Sequence, residues 1–247
     1  MPKIFAHRGF SGRYPENTML AFERMVATGC AGTELDVQMT ADGQLVIIHD
    51  EALARTTNGT GYVWDYDLAT LQGFLADGAY GGKVPNQRIP TLAEYFDFIK
   101  DTGLITNIEL KTGLNPYPGI EQKVVEMIRA YKMQDRVWIS SFNHETLVRC
   151  RQLAPELSYG ALVNCWILDT PAYLTRMGAA TLNAETGYLL HRENVEALHA
   201  AGLGAQAWTV NTPERVRQLL DNGVDCIISN FPDMAMETLR QWEREQG

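Results

Sequence analysis

The chain has 247 residues, with 21 Lys and Arg against 30 Asp and Glu, a formal charge of −9 with histidine neutral, and 45% apolar residues. A chain of this size and polarity buries roughly 70–75% of its unfolded surface, which excludes wholesale disorder. No run approaches the roughly 18 apolar residues of a membrane span, no long apolar signal core follows Met1, and no Lys/Arg block offers nucleic acid a phosphate-neutralising face, so a cytosolic protein without stable membrane insertion or a nucleic-acid partner is expected.

Taken in order, short β-branched or apolar runs alternate with helical patterns. Ile4-Phe5-Ala6 reads as the first strand. Asn17-Thr18 then precedes Phe22, Met25 and Val26 at helical spacing, with Gly29 as the stop. Thr33 to Val37 is the second strand. Gln38 to Gln44, containing Asp42-Gly43, and then Leu45 to Asp50 read as a turn and a returning strand, a hairpin that brings His49 back toward Glu34 and Asp36. Residues 51–90 carry aromatics around Trp64 and only a weak helix at Leu68, Leu71 and Leu75; so long a segment with little regular structure is a functional insertion rather than a linker.

Thr91 and Glu94 form a capping box ahead of Leu92, Tyr95, Phe96 and Ile99. Strands follow at 107–110, 137–140, 159–163, 181–184, 205–210 and 226–229. Between them, Ile120, Val124, Met127 and Ile128 form one helical stripe. Leu147, Val148 and Arg151 form another after an Asn143 cap, and Thr212-Pro213 opens a third that Gly223 stops. Eight βα units in a chain of this length predict a closed (β/α)₈ barrel, a TIM barrel, spanning residues 1–247, with a hairpin after strand 2 and the insertion at 51–90. The four cysteines, Cys30, Cys150, Cys165 and Cys226, lack metal-ligand spacing and are expected to be reduced core residues.

In such a barrel the chemistry lies at the carboxyl ends of the strands. Glu34 and Asp36, two apart on a strand, point to one face, and Glu109 and Lys111 come from a neighbouring strand. Side-by-side buried carboxylates call for a hard divalent cation with oxygen ligands, Mg²⁺ or Ca²⁺, held by Glu34, Asp36 and Glu109. The competing reading is a metal-free ion-pair network with Arg8 and Lys111. His7 and His49 converge on this cluster as a general acid and base, or one of them ligates the metal. His144, His191 and His199 fall in or at the start of helices and are read as surface or packing residues. Arg8 and Lys111 add positive charge suited to an anionic group whose charge grows in the transition state, which points to a phosphoester. Trp208 either walls the pocket or packs in the core, and Phe10, Phe142 and Trp64 are similar candidates.

Together, His7-Arg8-Gly9, Pro15-Glu16-Asn17-Thr18, Glu34-Leu35-Asp36-Val37, His49-Asp50, Arg55-Thr56-Thr57 with Gly59 and Gly61, Ile89-Pro90-Thr91-Leu92, Ile108-Glu109-Leu110-Lys111 and Trp208-Thr209-Val210-Asn211 give a pattern that resembles the glycerophosphodiester phosphodiesterase family over essentially the whole chain. The resemblance implies a (β/α)₈ barrel that hydrolyses small glycerophosphodiesters to glycerol 3-phosphate and an alcohol with a divalent cation. By motif it makes His7 and His49 the acid–base pair and Glu34, Asp36 and Glu109 the metal ligands. Arg8 and Lys111 become phosphate contacts, residues 51–90 the insertion over the site, and Asn17 a shaper of the first loop through backbone hydrogen bonds. The chain departs from the family at Ser229-Asn230-Phe231-Pro232, where Thr-Asp often stands, so no carboxylate acts at position 230. The attacking oxygen is that of water or of the substrate's adjacent glycerol hydroxyl. Two rival readings are a lysophospholipase D-like lipid phosphodiesterase, with an apolar groove from Tyr62, Trp64, Tyr66, Phe74 and Tyr80, and a noncatalytic barrel that binds phosphoglycerol compounds.

Overall fold

The structure, a computed structural model, describes residues 1–246. Strand β1 (Lys3–His7) is followed by helix α1 (Met19–Val26), β2 (Gly32–Met39), β3 (Leu45–Ile47), the short α2 (Leu68–Leu71), α3 (Leu92–Ile99), β4 (Ile105–Leu110), α4 (Ile120–Ala130), β5 (Val137–Ser141) and α5 (His144–Leu153). Then come β6 (Ser158–Val163), α6 (Thr170–Met177), β7 (Thr181–Glu185), α7 (Thr186–Leu189), α8 (Arg192–Ala200), β8 (Gly204–Trp208), α9 (Pro213–Asp221), β9 (Cys226–Ser229) and α10 (Pro232–Gln246). Eight of the strands are parallel in the order β1-β2-β4-β5-β6-β7-β8-β9, and pairing of β9 with β1 closes the barrel. The ninth, β3, runs antiparallel to the far end of β2, with Val37 opposite Ile47 and Met39 opposite Leu45, as the hairpin reading requires.

The sequence signals act locally as their chemistry dictates. The Thr18 side chain accepts the Ala21 N–H to start α1. Thr91 Oγ1 accepts the Glu94 N–H at 3.1 Å, and Glu94 Oε2 accepts the Thr91 N–H at 2.8 Å. Three expectations change. Asn143 does not cap α5 with its side chain, which instead donates to the Thr112 carbonyl at 3.1 Å and ties two βα loops together. The weak helix near Leu68 is only four residues long and stops before Leu75; the rest of the insertion is irregular apart from three short 3₁₀ turns. Cys165 is exposed in the loop after β6, while Cys30, Cys150 and Cys226 are buried; all four are free.

Alternation along each strand divides the core in two. Leu35, Val37, Ile108, Leu110, Val137 and Ile139 pack outward against the helices. The barrel's inner floor is closed by Phe5, Cys226, Ile228 and Trp138, with the Phe5 and Trp138 rings stacked at 5.2 Å. Above that floor the interior turns polar: Asn107, Ser140, Asn183 and Gln206 are all buried. Residues 51–90 carry their own small core, in which Leu53, Val63, Leu71, Ala76 and Ile89 cover Val46 of β3 and Ile48 just after it, where the strand expected to reach Asp50 has already ended. Among the described residues no helix is long and apolar enough to cross a membrane.

Close approach of β2 to β4 depends on the absence of a side chain at Gly32, where a Cβ would lie 2.0 Å from the Ile105 carbonyl oxygen. The colliding atom is backbone, so relief requires the strands to part. Gly32→Ala is therefore expected to destabilise the fold by about 3 kcal/mol or more, read as a lowered urea midpoint.

Candidate active site

Glu34 and Asp36 face inward on β2 because their neighbours Leu35 and Val37 take the outward positions, and Asp36 stands in register with Glu109 on β4. All three carboxylates are buried, and each offers an oxygen within 4.8 Å of the others. Glu34 Oε2 and Asp36 Oδ1 are buried and accept no hydrogen bond. Orphaned anionic oxygens converging on one point are the donor set of a hard divalent cation, so these residues fit such an ion.

Protein cations approach the cluster from the strands on either side of β2. Arg8 Nε lies 3.4 Å from Asp36 Oδ2, and Lys111 Nζ lies 2.9 Å from Glu109 Oε1 and 4.0 Å from Asp36 Oδ1. Asn17 Nδ2 donates to Asp36 Oδ2 at 2.8 Å. Burial alone would raise the Asp36 carboxyl, but the Arg8 guanidinium, with further positive charge from His49 and Lys111, holds it well below the usual carboxylate range. Glu34 has no such close cation. Burial and then the charges of Asp36 and Glu109 push its carboxyl far up, and burial with the Asp36 charge pushes Glu109 up to about 7. The metal-free network with Arg8 and Lys111 thus neutralises Asp36 and leaves Glu34 uncompensated.

The β1–α1 loop that presents Arg8 is tightly wound. Arg8 and Gly9 have φ of 56° and 73°. At Gly9 a Cβ would meet the Ala21 backbone at 2.8 Å, so only glycine fits. The Arg8 N–H donates to the Glu34 carbonyl, and the Arg8 carbonyl accepts the Asn17 N–H, both at 2.9 Å. Asn17 therefore shapes the loop through its backbone and also binds Asp36 through its side chain.

His7, Arg8, Glu34, His49, Glu109, Phe142, Leu162 and Trp208 line one cleft at the carboxyl ends of the strands. His7 Nδ1 pairs with Asn230 Oδ1 at 2.6 Å, and its Nε2 points toward Glu34 Oε2 at 3.8 Å. Burial and the neighbouring Arg8 charge lower His7 to about 4, so it is neutral near pH 7. His49 Nδ1 pairs with Asp50 Oδ1 at 2.6 Å, and its Nε2 lies 3.3 Å from Lys111 Nζ. Both rings are thus held at Nδ1 and turn Nε2 inward. Trp208 donates its indole N–H to the Asn183 carbonyl at 2.9 Å and stands edge-on to Phe142 at 5.5 Å, lining the cleft while also packing on the inner cluster of Phe5, Cys226 and Ile228. Phe10 is buried in the core instead, and Trp64 stacks on Tyr62 outside the cleft. His144 is a packing residue, bonded to Tyr173 Oη at 2.6 Å.

Several supporting residues went unassigned in the sequence reading. Gln38 continues the inward series of Glu34 and Asp36, a signal that was present in the period-two spacing. Its Nε2 donates to the carbonyls of Ile48, His49 and Asp50 at 2.9–3.0 Å, and its Oε1 accepts from Tyr117 Oη at 2.8 Å, which holds the segment bearing His49. Asn230 supplies by its amide oxygen the contact to His7 and also accepts from Ser11 Oγ at 3.0 Å. Glu16 and Arg55 join as an ion pair across 39 residues, a contact that no local pattern encodes.

Residues 7–234 match the glycerophosphoryl diester phosphodiesterase family. A glycerophosphodiester phosphodiesterase of Caldanaerobacter subterraneus subsp. tengcongensis is 40% identical over 96% of this chain and 98% of its own length, and one from Bacillus altitudinis is 41% identical with the same coverage. The solved structure of an Oleispira antarctica phosphodiesterase in complex with the product sn-glycerol-3-phosphate superimposes with a TM-score of 0.90 at 31% identity, covering 97% of both chains. The chain is an enzyme of the glycerophosphoryl diester phosphodiesterase family.

Proposed function

We propose that the chain hydrolyses small glycerophosphodiesters to glycerol 3-phosphate and an alcohol by histidine acid–base catalysis assisted by one divalent cation. The observation that carries this reading is the meeting of three buried carboxylates, two inward-turned histidines and Arg8 around one cleft. Glu34, Asp36 and Glu109 would hold Mg²⁺ or Ca²⁺, which when bound supplies positive charge to a nonbridging phosphoryl oxygen. Arg8, and Lys111 beside it, add fixed charge where the transition state becomes more anionic. One histidine takes the proton of the attacking oxygen and the other returns a proton to the departing alkoxide. Proximity favours the adjacent glycerol hydroxyl as attacking group, since it is already held near phosphorus. Four free thiols suit a reducing compartment and support a cytosolic place.

The lysophospholipid reading gains support from a wider surface than its sequence argument named. Of the insertion aromatics, Tyr66 and Phe74 pack onto the insertion's own core. Tyr62 stays exposed on the insertion, at 43%, and further exposed apolar side chains stand in the loops after β5 and β6, with Phe142 at 41%, Trp166 at 64% and Leu168 at 96%. A noncatalytic barrel leaves the paired histidines without a purpose.

Glycerol 3-phosphate release from glycerophosphocholine is expected to vanish with EDTA and return with Mg²⁺ or Ca²⁺. His7→Ala and His49→Ala are each expected to lower kcat by about 10²-fold or more. Turnover of lysophosphatidylcholine but not glycerophosphocholine would move the assignment to the lipid substrate, and turnover of neither would leave only the binding barrel. A fast-quenched single turnover is expected to show a cyclic phosphate; glycerol 3-phosphate appearing without it would identify water as the nucleophile.

Glu34→Gln preserves volume and removes one buried charge. In EDTA this variant is expected to melt at or above the wild-type temperature, because a like-charge repulsion is relieved. It should also lose the metal-induced stabilisation, which for wild type at 100-fold excess over Kd is about 2.7 kcal/mol. Equal metal-induced shifts in Tm for the two proteins would show that Glu34 is not a ligand.

A further inference from the structure

One guanidinium of the insertion grips two carboxylates that border the active site. Arg55, in the 3₁₀ turn Leu53–Arg55, donates Nη1–H to Glu16 Oε2 and Nη2–H to Glu16 Oε1, both at 2.8 Å. The same side chain donates Nε–H to Asp50 Oδ2 at 2.5 Å and a second Nη2–H to Asp50 Oδ1 at 2.9 Å. Each carboxylate has a second partner in the site. Asp50 Oδ1 holds His49 Nδ1, and Glu16 Oε1 accepts from Arg8 Nη1 at 2.9 Å. Contacts already described continue from Arg8 to Asp36, from Asp36 to Lys111 and from Lys111 to His49. The chain of charges closes into a ring, His49-Asp50-Arg55-Glu16-Arg8-Asp36-Lys111, and Arg55 is its outermost member.

We propose that Arg55 is a positioning residue that fixes His49 through Asp50 and Arg8 through Glu16, so that the folded insertion sets the geometry of both. The inference rests on the reading of His49 and Arg8 given above. Asp50 stands between Arg55 and His49, and Glu16 stands between Arg55 and Arg8, so the guanidinium reaches both groups through these carboxylates. Its planar fork suits two carboxylates at once, which a lysine ammonium cannot grip in the same geometry. Its side chain is 47% exposed, and pairs this accessible to water contribute little to stability, so the ring's value lies in orientation. Asp50 carries the mark of this grip: the Arg55 hydrogen bonds are the largest influence holding its carboxyl down at about 2.

The test measures kcat and KM for Arg55→Met and Arg55→Lys beside His49→Ala, and repeats Arg55→Met in a Glu16→Gln/Asp50→Asn background. Arg55→Met is expected to lower kcat about 10- to 100-fold, as removal of an outer partner of a functional group does, with KM changed less than about threefold and the urea midpoint near wild type. Arg55→Lys is expected to recover part of the loss. In the doubly neutralised background the same substitution should cost less than about twofold, since the bidentate, charge-assisted grip of Arg55 is already lost. A full-strength loss in that background, a change confined to KM, or a kcat within twofold of wild type for both Arg55 variants would overturn the proposal. His49→Ala at wild-type rate would overturn the assignment of His49 itself, whereas inactive His49→Ala with fully active Arg55→Met removes only the role of Arg55.

Discussion

Three carboxylates are buried within a few ångströms of one another at the mouth of a β-barrel, and the surrounding structure is organised around that repulsion. Isolated buried anions cost several kcal/mol each, so such a cluster persists only where opposite charge is supplied from nearby. Arg8, Lys111 and the Asn17 amide supply it for Asp36. The supply is uneven: Glu34 Oε2 and Asp36 Oδ1 both lack a hydrogen-bond donor, and only Asp36 has Arg8 within 3.4 Å. The imbalance separates this site from a structural salt-bridge network: the compensation is incomplete at the point where a cation and a phosphate would sit.

Delivering these groups to one place is the work of the polypeptide's turns. The positive-φ pair Arg8 and Gly9 folds the β1–α1 loop back over β2, where the Arg8 N–H meets the Glu34 carbonyl. The hairpin after β2 is held by Gln38, whose amide gathers three successive carbonyls and so fixes the approach of His49. Residues 51–90 then cover the hairpin's outer face with their own apolar cluster. The insertion is thus a folded buttress: the Arg55 fork grips Glu16 and Asp50, the Tyr80 hydroxyl donates to the Ser11 carbonyl, and Trp64 stands edge-on to Tyr117.

The two histidines are supported differently. His49 leans on a carboxylate, Asp50, while His7 leans on the neutral amide of Asn230. A hydrogen bond to neutral oxygen orients an imidazole without adding the charge that would favour imidazolium, and His7 is correspondingly held neutral by burial and by Arg8. Asn230 therefore orients the ring without placing a carboxylate beside it.

Much of this was legible in the linear chain because it depends on short-range rules. Strand alternation places Glu34 and Asp36 on one face, capping chemistry starts α1, α3 and α9, and eight βα repeats imply closure of the sheet. Contacts between residues far apart in the chain were not legible. Asn230 reaches His7 across 223 positions, Glu16 meets Arg55 across 39, and Asn143 leaves its expected cap to join Thr112 across 31. Gln38 lies between these cases, since its inward direction followed from spacing but its three carbonyl partners did not. Sequence by itself determined which residues face inward at the carboxyl ends of the strands, because backbone periodicity and turn preferences are local. Which partner each of those residues finds was decided only by closure of the barrel and folding of the insertion, because a hydrogen bond or ion pair depends on distances that exist only once the chain is packed.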